Sequence, residues 1–283
     1  MSNKIKLVII SPYEFPTLGK FLADGPRLRL LQLANSLNFP EFEVVFLSRS
    51  IGQSAGIQGH IRFDTWSTSK DLKGKIEGAK IVVASYAALG LNEMILKLLQ
   101  PQQILVADAI VPILAENVSR ESKQVIKVRA LSNFLLRSNI ILVSSSNLFH
   151  YYKSLVMQIS SISIVESKFL IFPFVELDKP RLIQHQHSSK QLRLVHYGSV
   201  YPWFGVNELM EFLTDISPGD TDFQLTISGL YNPNFRSPEI EEINRKILQL
   251  TSNNKNVVFK PWLSVDSRWD FLSKFDFAIF FNN

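Results

Sequence analysis

The chain has 283 residues, 46% of them hydrophobic and 19% charged, with no cysteine. That balance excludes a disordered chain, and the missing thiols exclude disulfides and cysteine nucleophiles. Charge is uneven: residues 1–180 carry 20 Lys/Arg against 14 Asp/Glu, whereas residues 181–283 carry 10 against 11. The lysines are scattered and no zinc-finger or RNA-module signature accompanies them, so no nucleic-acid partner is expected. A basic first half suits reversible peripheral contact with an anionic membrane. No apolar run approaches the roughly 18 residues that span a bilayer. The opening MSNKIKLVIISP reads as a first strand rather than a signal peptide, and the expected location is cytoplasmic.

The length suggests two domains. In the first, Ile5–Ile10 is a buried-strand candidate, followed by a loop with two prolines and a glycine. Asp24-Gly25-Pro26 then starts a helix, since proline suits a first turn and aspartate a cap. Phe42–Leu47 is the next strand, which makes a βαβ start and favours a parallel sheet. Residues 49–60, rich in glycine and serine, read as a mobile loop. Ile61–Trp66, Ile81–Ala84 and Ile104–Ala107 are further strands, with the helical LGLNEMILKLLQ between the last two. The last of these ends in Asp108. A carboxylate there is placed either to meet a ligand or to cap the next helix. Residues 119–137 read as a helix of mixed charge, Ile140–Val143 as a strand, and SSSNLFHYYKSL as a serine-capped helix. Phe169–Pro173 is apolar again. Residues 174–190 are polar and read as a linker, which gives domains at 1–173 and 191–283.

The second half repeats the rhythm. Strand Leu192–His196, helix Val206–Ile216, strand Phe223–Ser228, helix Pro238–Leu250, strand Asn256–Lys260, helix Val265–Lys274 and strand Asp276–Phe281 follow in turn. A fourth strand wants a further helix over it, so the second domain is expected to be incomplete. The most informative stretch is LRLVHYGSVYPWFG, from Leu192 to Gly205. It reads as strand, glycine turn, aromatic loop and helix start. Gly198 there would let the backbone approach a phosphate closely, and the helix after Gly205 offers free N–H groups and a positive dipole end. An ordinary strand-to-helix turn fits the same residues. Other chemistry lacks its signatures. There is no phosphate-loop motif, no G-x-G-x-x-G and no H-E-x-x-H, and Ser144–Ser146 lack the context of a nucleophile elbow.

Two βα domains with a glycine turn after the first strand of the second resemble the GT-B fold of nucleotide-sugar glycosyltransferases. The chain looks most like retaining glycosyltransferase family 4. GSVYPWFG, from Gly198 to Gly205, stands where that family reads roughly G-R-L-x-x-x-K-G. SGLYNP around Gly229 is similar to its second-strand glycine turn, and NVVFKPW, ending at Trp262, to its V-x-F-x-G-x turn. ADGPRLRLLQLANSL resembles the glycine-containing loop and first helix, and LSKFDFAIFF the start of the fourth strand.

The resemblance implies an α/β fold of two Rossmann-like, doubly wound domains. It implies an acceptor-side domain followed by a nucleotide-sugar-binding one. The implied activity is transfer of a sugar from a nucleotide-sugar donor to a glycan or lipid-linked acceptor, as in cell-envelope or exopolysaccharide synthesis. No metal or other cofactor is implied. The donor would be held around Gly198, Ser199, Tyr201, Trp203, Gly205, Gly229 and Trp262. Gly25 and Arg27 would lie on the acceptor or phosphate side, with Asp108 as a catalytic candidate. Tyr201 and Trp203 fit stacking on a sugar or base, and equally packing. Two departures weaken the expected activity. Ser199 and Phe204 replace the arginine and lysine that hold the diphosphate, and the family's E-x7-E pair is expected past Asn283. A non-catalytic nucleotide-sugar or glycan-binding protein is the alternative.

Overall fold

The computed structural model describes residues 4–12, 25–49, 56–85, 89–109, 130–160, 166–173, 191–198, 206–216, 222–229, 238–252, 254–260, 263 and 265–279. Those up to 173 form one compact unit and those from 191 a second. The expected linker, 174–190, lies outside the described residues.

The first unit is built on eight strands: β1 (Ile5–Ser11), β2 (Phe42–Arg49), β3 (Gly56–Gln58), β4 (Ile61–Trp66), β5 (Ile81–Ser85), β6 (Ile104–Ala109), β7 (Ile140–Val143) and β8 (Phe169–Ile171). Their order is β3-β4-β2-β1-β5-β6-β7-β8. Every pairing is parallel except β3 with β4. Val and Ile dominate these strands because a parallel sheet is covered on both faces, so the strands read as apolar runs rather than alternations. The helices are α1 (Gly25–Ser36), α2 (Ser69–Ile76), α3 (Leu89–Leu98), α4 (residues 130–137) and α5 (Ser146–Ser160). The order reverses direction at β1. Right-handed crossovers therefore put α1 on one face and α2 to α5 on the other. On the latter face Val8, Ile10, Val82, Ala84 and Ala107 pack with Leu72, Ile95, Phe134 and Tyr152 in one core.

Local chemistry starts and stops the helices. The Ser145 hydroxyl accepts the Leu148 N–H at 3.3 Å, which is the serine cap expected for α5. In α2, Thr68 Oγ1 accepts the Asp71 N–H at 3.1 Å, and Asp71 Oδ2 accepts the Ser67 N–H at 3.0 Å. Lys6 Nζ closes its other end by donating to the Lys75 and Glu77 carbonyls, both at 2.9 Å.

The second unit has four parallel strands, β9 (Leu192–Tyr197), β10 (Phe223–Ser228), β11 (Val257–Lys260) and β12 (Phe277–Ala278), in the order β11-β10-β9-β12. Helices α6 (Val206–Asp215) and α7 (Pro238–Thr251) lay Leu209, Leu213 and Ile247 over Leu194, Leu225 and Ile227. Helix α8 (Val265–Leu272) precedes β12, and its Phe271 ring lies 6.4 Å from that of Tyr197. Asp276 locks β12 to the start of β9. Its carboxylate takes the Arg193 N–H at 2.7 Å and both arms of the Arg193 guanidinium, Nη2 at 3.0 Å and Nε at 3.3 Å.

Three expectations need correction. The loop at 49–60 contains strand β3, held by antiparallel pairing with β4. Helix α2 was not expected, because Gly74 and five charged or polar neighbours hide its only buried pair, Leu72 and Ile76. Strand β6 runs to Ala109, so Asp108 lies one residue inside its carboxyl end rather than at it. Phe134 is fully buried against the main core. Phe134→Ala is expected to lower unfolding free energy by about 3–5 kcal/mol, read as a lower urea midpoint for the first unit.

Candidate functional site

In the second unit, strands β9 and β10 end side by side. Tyr197 is in register with Ser228, so Gly198 and Gly229 are the next residues of neighbouring strands. The Gly198 N–H donates to the Ser228 carbonyl at 3.0 Å. Both glycines have left-handed φ, 135° for Gly198 and 101° for Gly229. A Cβ at Gly198 would meet nothing within 4 Å. Glycine is required there by backbone conformation rather than by space. Two neighbouring strands are thus each followed at the carboxyl edge by a residue without a Cβ. That is the edge where open α/β sheets bind ligands.

His196 lies one residue inside that edge. Burial holds its imidazole below the ordinary value, and the bond between Nδ1 and the Ile279 carbonyl, 3.2 Å long, partly offsets the shift. The ring is therefore neutral at pH 7 and donates from Nδ1 to the carbonyl.

In the first unit, the carboxyl edge gathers buried polar groups on the face covered by α1: Ser11, Ser48, Ser85 and Asp108. Asp108 Oδ1 accepts from Arg29 Nε at 2.7 Å, and the two side chains are 1% and 0% exposed. Arg29 Nη1 also donates to the Phe172 carbonyl at 2.5 Å, and its guanidinium stands 5.1 Å from the Phe172 ring centre. One side chain thus ties α1 to β6 and to the residue after β8. Burial pushes the Asp108 carboxyl up to about 6, against the charge and hydrogen bond of Arg29. The carboxylate still prevails at neutral pH, in keeping with the short ion pair.

The sequence-derived site residues are placed unequally. Asp108 is buried in a sheet and paired, and Gly198 and Gly229 lie together. Gly25 opens α1 and Arg27 sits in its first turn, with its side chain outside the described set. Ser199, Tyr201, Trp203, Gly205 and Trp262 lie outside the described residues. Arg29 was missed. The signal for it was Asp108 itself, since a carboxylate within the apolar run ILVADA needs a buried cation. Among the described residues no cluster of three or more His, Asp or Glu side chains has the arrangement to hold a metal.

The sequence matches no protein-family model and no curated protein. In structure, the chain is similar to sucrose-phosphate synthase from Thermosynechococcus elongatus. The TM-score is 0.74 at 13% identity, over 97% of this chain and 75% of that one. HepE from Anabaena, in complex with UDP and glucose, matches with a TM-score of 0.62 at 11% identity, over 92% of this chain and 70% of that one. The chain has the GT-B fold. The lipopolysaccharide outer core galactosyltransferase WaaB, in its apo form, shares that fold at a TM-score of 0.52 and 12% identity, over 95% of this chain and 71% of that one. In these GT-B units the strand order turns back at the first strand of each sheet, β1 and β9. Gly198 follows β9 directly, and Asp108 lies on the second strand beyond β1.

Two outcomes are expected. Asp108→Asn leaves the buried Arg29 charge without its partner and destabilises the first unit by about 3–5 kcal/mol. Replacing both residues with apolar ones, Arg29→Met with Asp108→Leu, is less damaging than the single change, as denaturant titration of the two variants will show. His196 binds protons more weakly folded than unfolded, so its contribution to stability is complete above its unfolded value of 6.5 and is lost as pH falls below it. Thermal unfolding of the second unit from pH 7.5 to 5 should therefore show a decline that His196→Asn flattens.

Proposed function

We propose that the chain is a glycosyltransferase of the retaining family 4 type, transferring a sugar from a nucleotide-sugar to a glycan or lipid-linked acceptor. The observation that carries this reading is the pair of left-handed glycines, Gly198 and Gly229, at adjacent strand ends of the second unit of a GT-B chain. Departure of a nucleoside diphosphate concentrates negative charge on the leaving oxygens. Backbone N–H groups and helix N-termini stabilise that charge without a metal. In this reading Gly198, Ser199, Gly205 and Gly229 surround the diphosphate, and Tyr201, Trp203 and Trp262 contact the sugar or base. Gly25 and Arg27 lie on the acceptor or phosphate side, and Asp108 is the catalytic candidate. The protein works in the cytoplasm, with peripheral attachment to anionic membrane through its basic first half, in the assembly of an envelope or exported glycan.

Ser199 and Phe204 stand where the family carries its diphosphate-holding cations. One lost donor of this kind removes ~3–4 kcal/mol of transition-state stabilisation. Donor binding with slow transfer is the expected behaviour, and a purely binding role is the second reading. UDP-glucose, which HepE holds in its complex, is the first donor to titrate. Calorimetry should detect binding, and an assay of released UDP should give turnover below the roughly 1 to 1000 per second of typical enzymes. Addition of EDTA should leave both unchanged. Gly198→Ala forces a side chain into a conformation strained by about 1–3 kcal/mol, so affinity should fall at least fivefold. Failure of every nucleotide-sugar tested to bind the wild-type chain would overturn the reading.

A further inference from the structure

Two arginine–aspartate pairs among the described residues are built differently, one partly exposed and one fully buried. Arg193 and Asp276 close a complete fork, with Nε and Nη2 each reaching one carboxylate oxygen. Arg29 and Asp108 make only half of one. Nε reaches Oδ1 at 2.7 Å, whereas Arg29 Nη2 and Asp108 Oδ2 have no hydrogen-bond partner although both are buried. Nε and Nη2 lie on the same side of a guanidinium and present parallel N–H bonds, which is why carboxylates usually take both. One ion pair thus carries both a buried donor and a buried acceptor that are unsatisfied. A third partnerless atom accompanies them. Ser85 is in register with Asp108 on the adjoining parallel strand, about 4.8 Å away backbone to backbone, and its buried Oγ also has no partner. Each such buried atom left unsatisfied carries a desolvation penalty.

We propose that the open half of the Arg29–Asp108 fork is a binding site for a single hydroxyl oxygen. That oxygen accepts the Arg29 Nη2 proton, donates its own proton to Asp108 Oδ2, and uses its remaining lone pair to accept from the Ser85 hydroxyl. No ammonium, carboxylate or carbonyl group satisfies all three positions. An ammonium cannot accept from Arg29, and neither a carboxylate nor a carbonyl can donate to Oδ2. The hydroxyl belongs either to a tightly held water or to an alcohol group of a ligand such as a sugar. The raised affinity of Asp108 for protons makes its free oxygen a strong acceptor for such a hydroxyl. The assignment concerns the first unit alone and does not depend on donor use by the second.

Crystal structures of the wild-type chain, grown with and without 100 mM glucose as the probe, separate the sources. Density for one isolated oxygen within about 3.2 Å of both Arg29 Nη2 and Asp108 Oδ2, unchanged by glucose, identifies water. Density there continuous with a pyranose ring identifies an alcohol. In that case Ser85→Ala should weaken glucose binding about fivefold by calorimetry, a change too small to unfold the unit. Either density supports the proposal. Direct pairing of Nη2 with Oδ2 in both crystals, with no oxygen between them, overturns it. That outcome would leave the proposed transfer reaction untouched, because the reaction is read from released UDP.

Discussion

A parallel sheet has to be covered on both faces, and this requirement shapes both units. It calls for uninterrupted apolar strands such as KLVII, EVVFL and ILVA, and it sends the chain through a helix between consecutive parallel strands, with the β2–β4 connection through β3 as the exception. It also decides where polar residues can go. Inside the strands there is no water to meet them, so they collect at the carboxyl ends. Ser11, Ser48, Ser85 and Asp108 do so in the first unit, and Thr226 and Ser228 with Gly198 and Gly229 do so in the second. The chemically useful edge of each sheet is thus a by-product of how the sheet is buried.

The exception within that pattern is a pair of full charges. Burying a carboxylate and a guanidinium costs several kcal/mol per ion, and a buried pair often does no better than two apolar side chains. Arg29 nevertheless reaches three separate elements: its own helix, strand β6 through Asp108, and the residue after β8 through the Phe172 carbonyl. Directional bonds of this kind fix the rotation of α1 about its axis, which apolar contact alone does loosely. The burial of a guanidinium is better tolerated than that of an ammonium, since its charge is spread over a plane and it is weakly hydrated.

Much of this was legible in the sequence, because Val- and Ile-rich runs bounded by glycine, proline and serine have few other readings. Ile61–Trp66, Ile140–Val143 and Phe223–Ser228 have the same bounds in the sequence reading and in the structure. The two-unit βα rhythm was legible from the spacing of such runs, and the GT-B architecture was read from resemblance. What stayed hidden was set by tertiary contact. Strand β3, with an exposed Ile57, exists only because β4 offers it an edge. Helix α2 shows two apolar residues and relies on Thr68 and on Lys6, the latter about seventy residues away in sequence. Arg27 and Arg29 look alike in PRLRLLQLANSL. The helix's orientation over β6 brings Arg29 to Asp108. The donor loop around Tyr201 and Trp203 was read from resemblance, since aromatic residues next to a proline serve packing and stacking equally well.

The tie between Arg193 and Asp276 also sets a timetable for synthesis. Strand β9 is the first of the second unit to be made, and it occupies the interior of its sheet, between β10 and β12. Its partner on one side is fixed by a carboxylate 83 residues later. At translation rates of about 5–20 residues per second, a nascent chain holds β9 outside the ribosome for roughly 4 to 17 seconds before that carboxylate appears. During that interval one edge of β9 presents bare N–H and C=O groups beside Leu194 and Val195, the combination that chaperones bind and that other nascent strands can pair with. The first unit meets a similar delay at its centre, since β1 pairs with β2 after about thirty residues of intervening chain but with β5 only after about seventy.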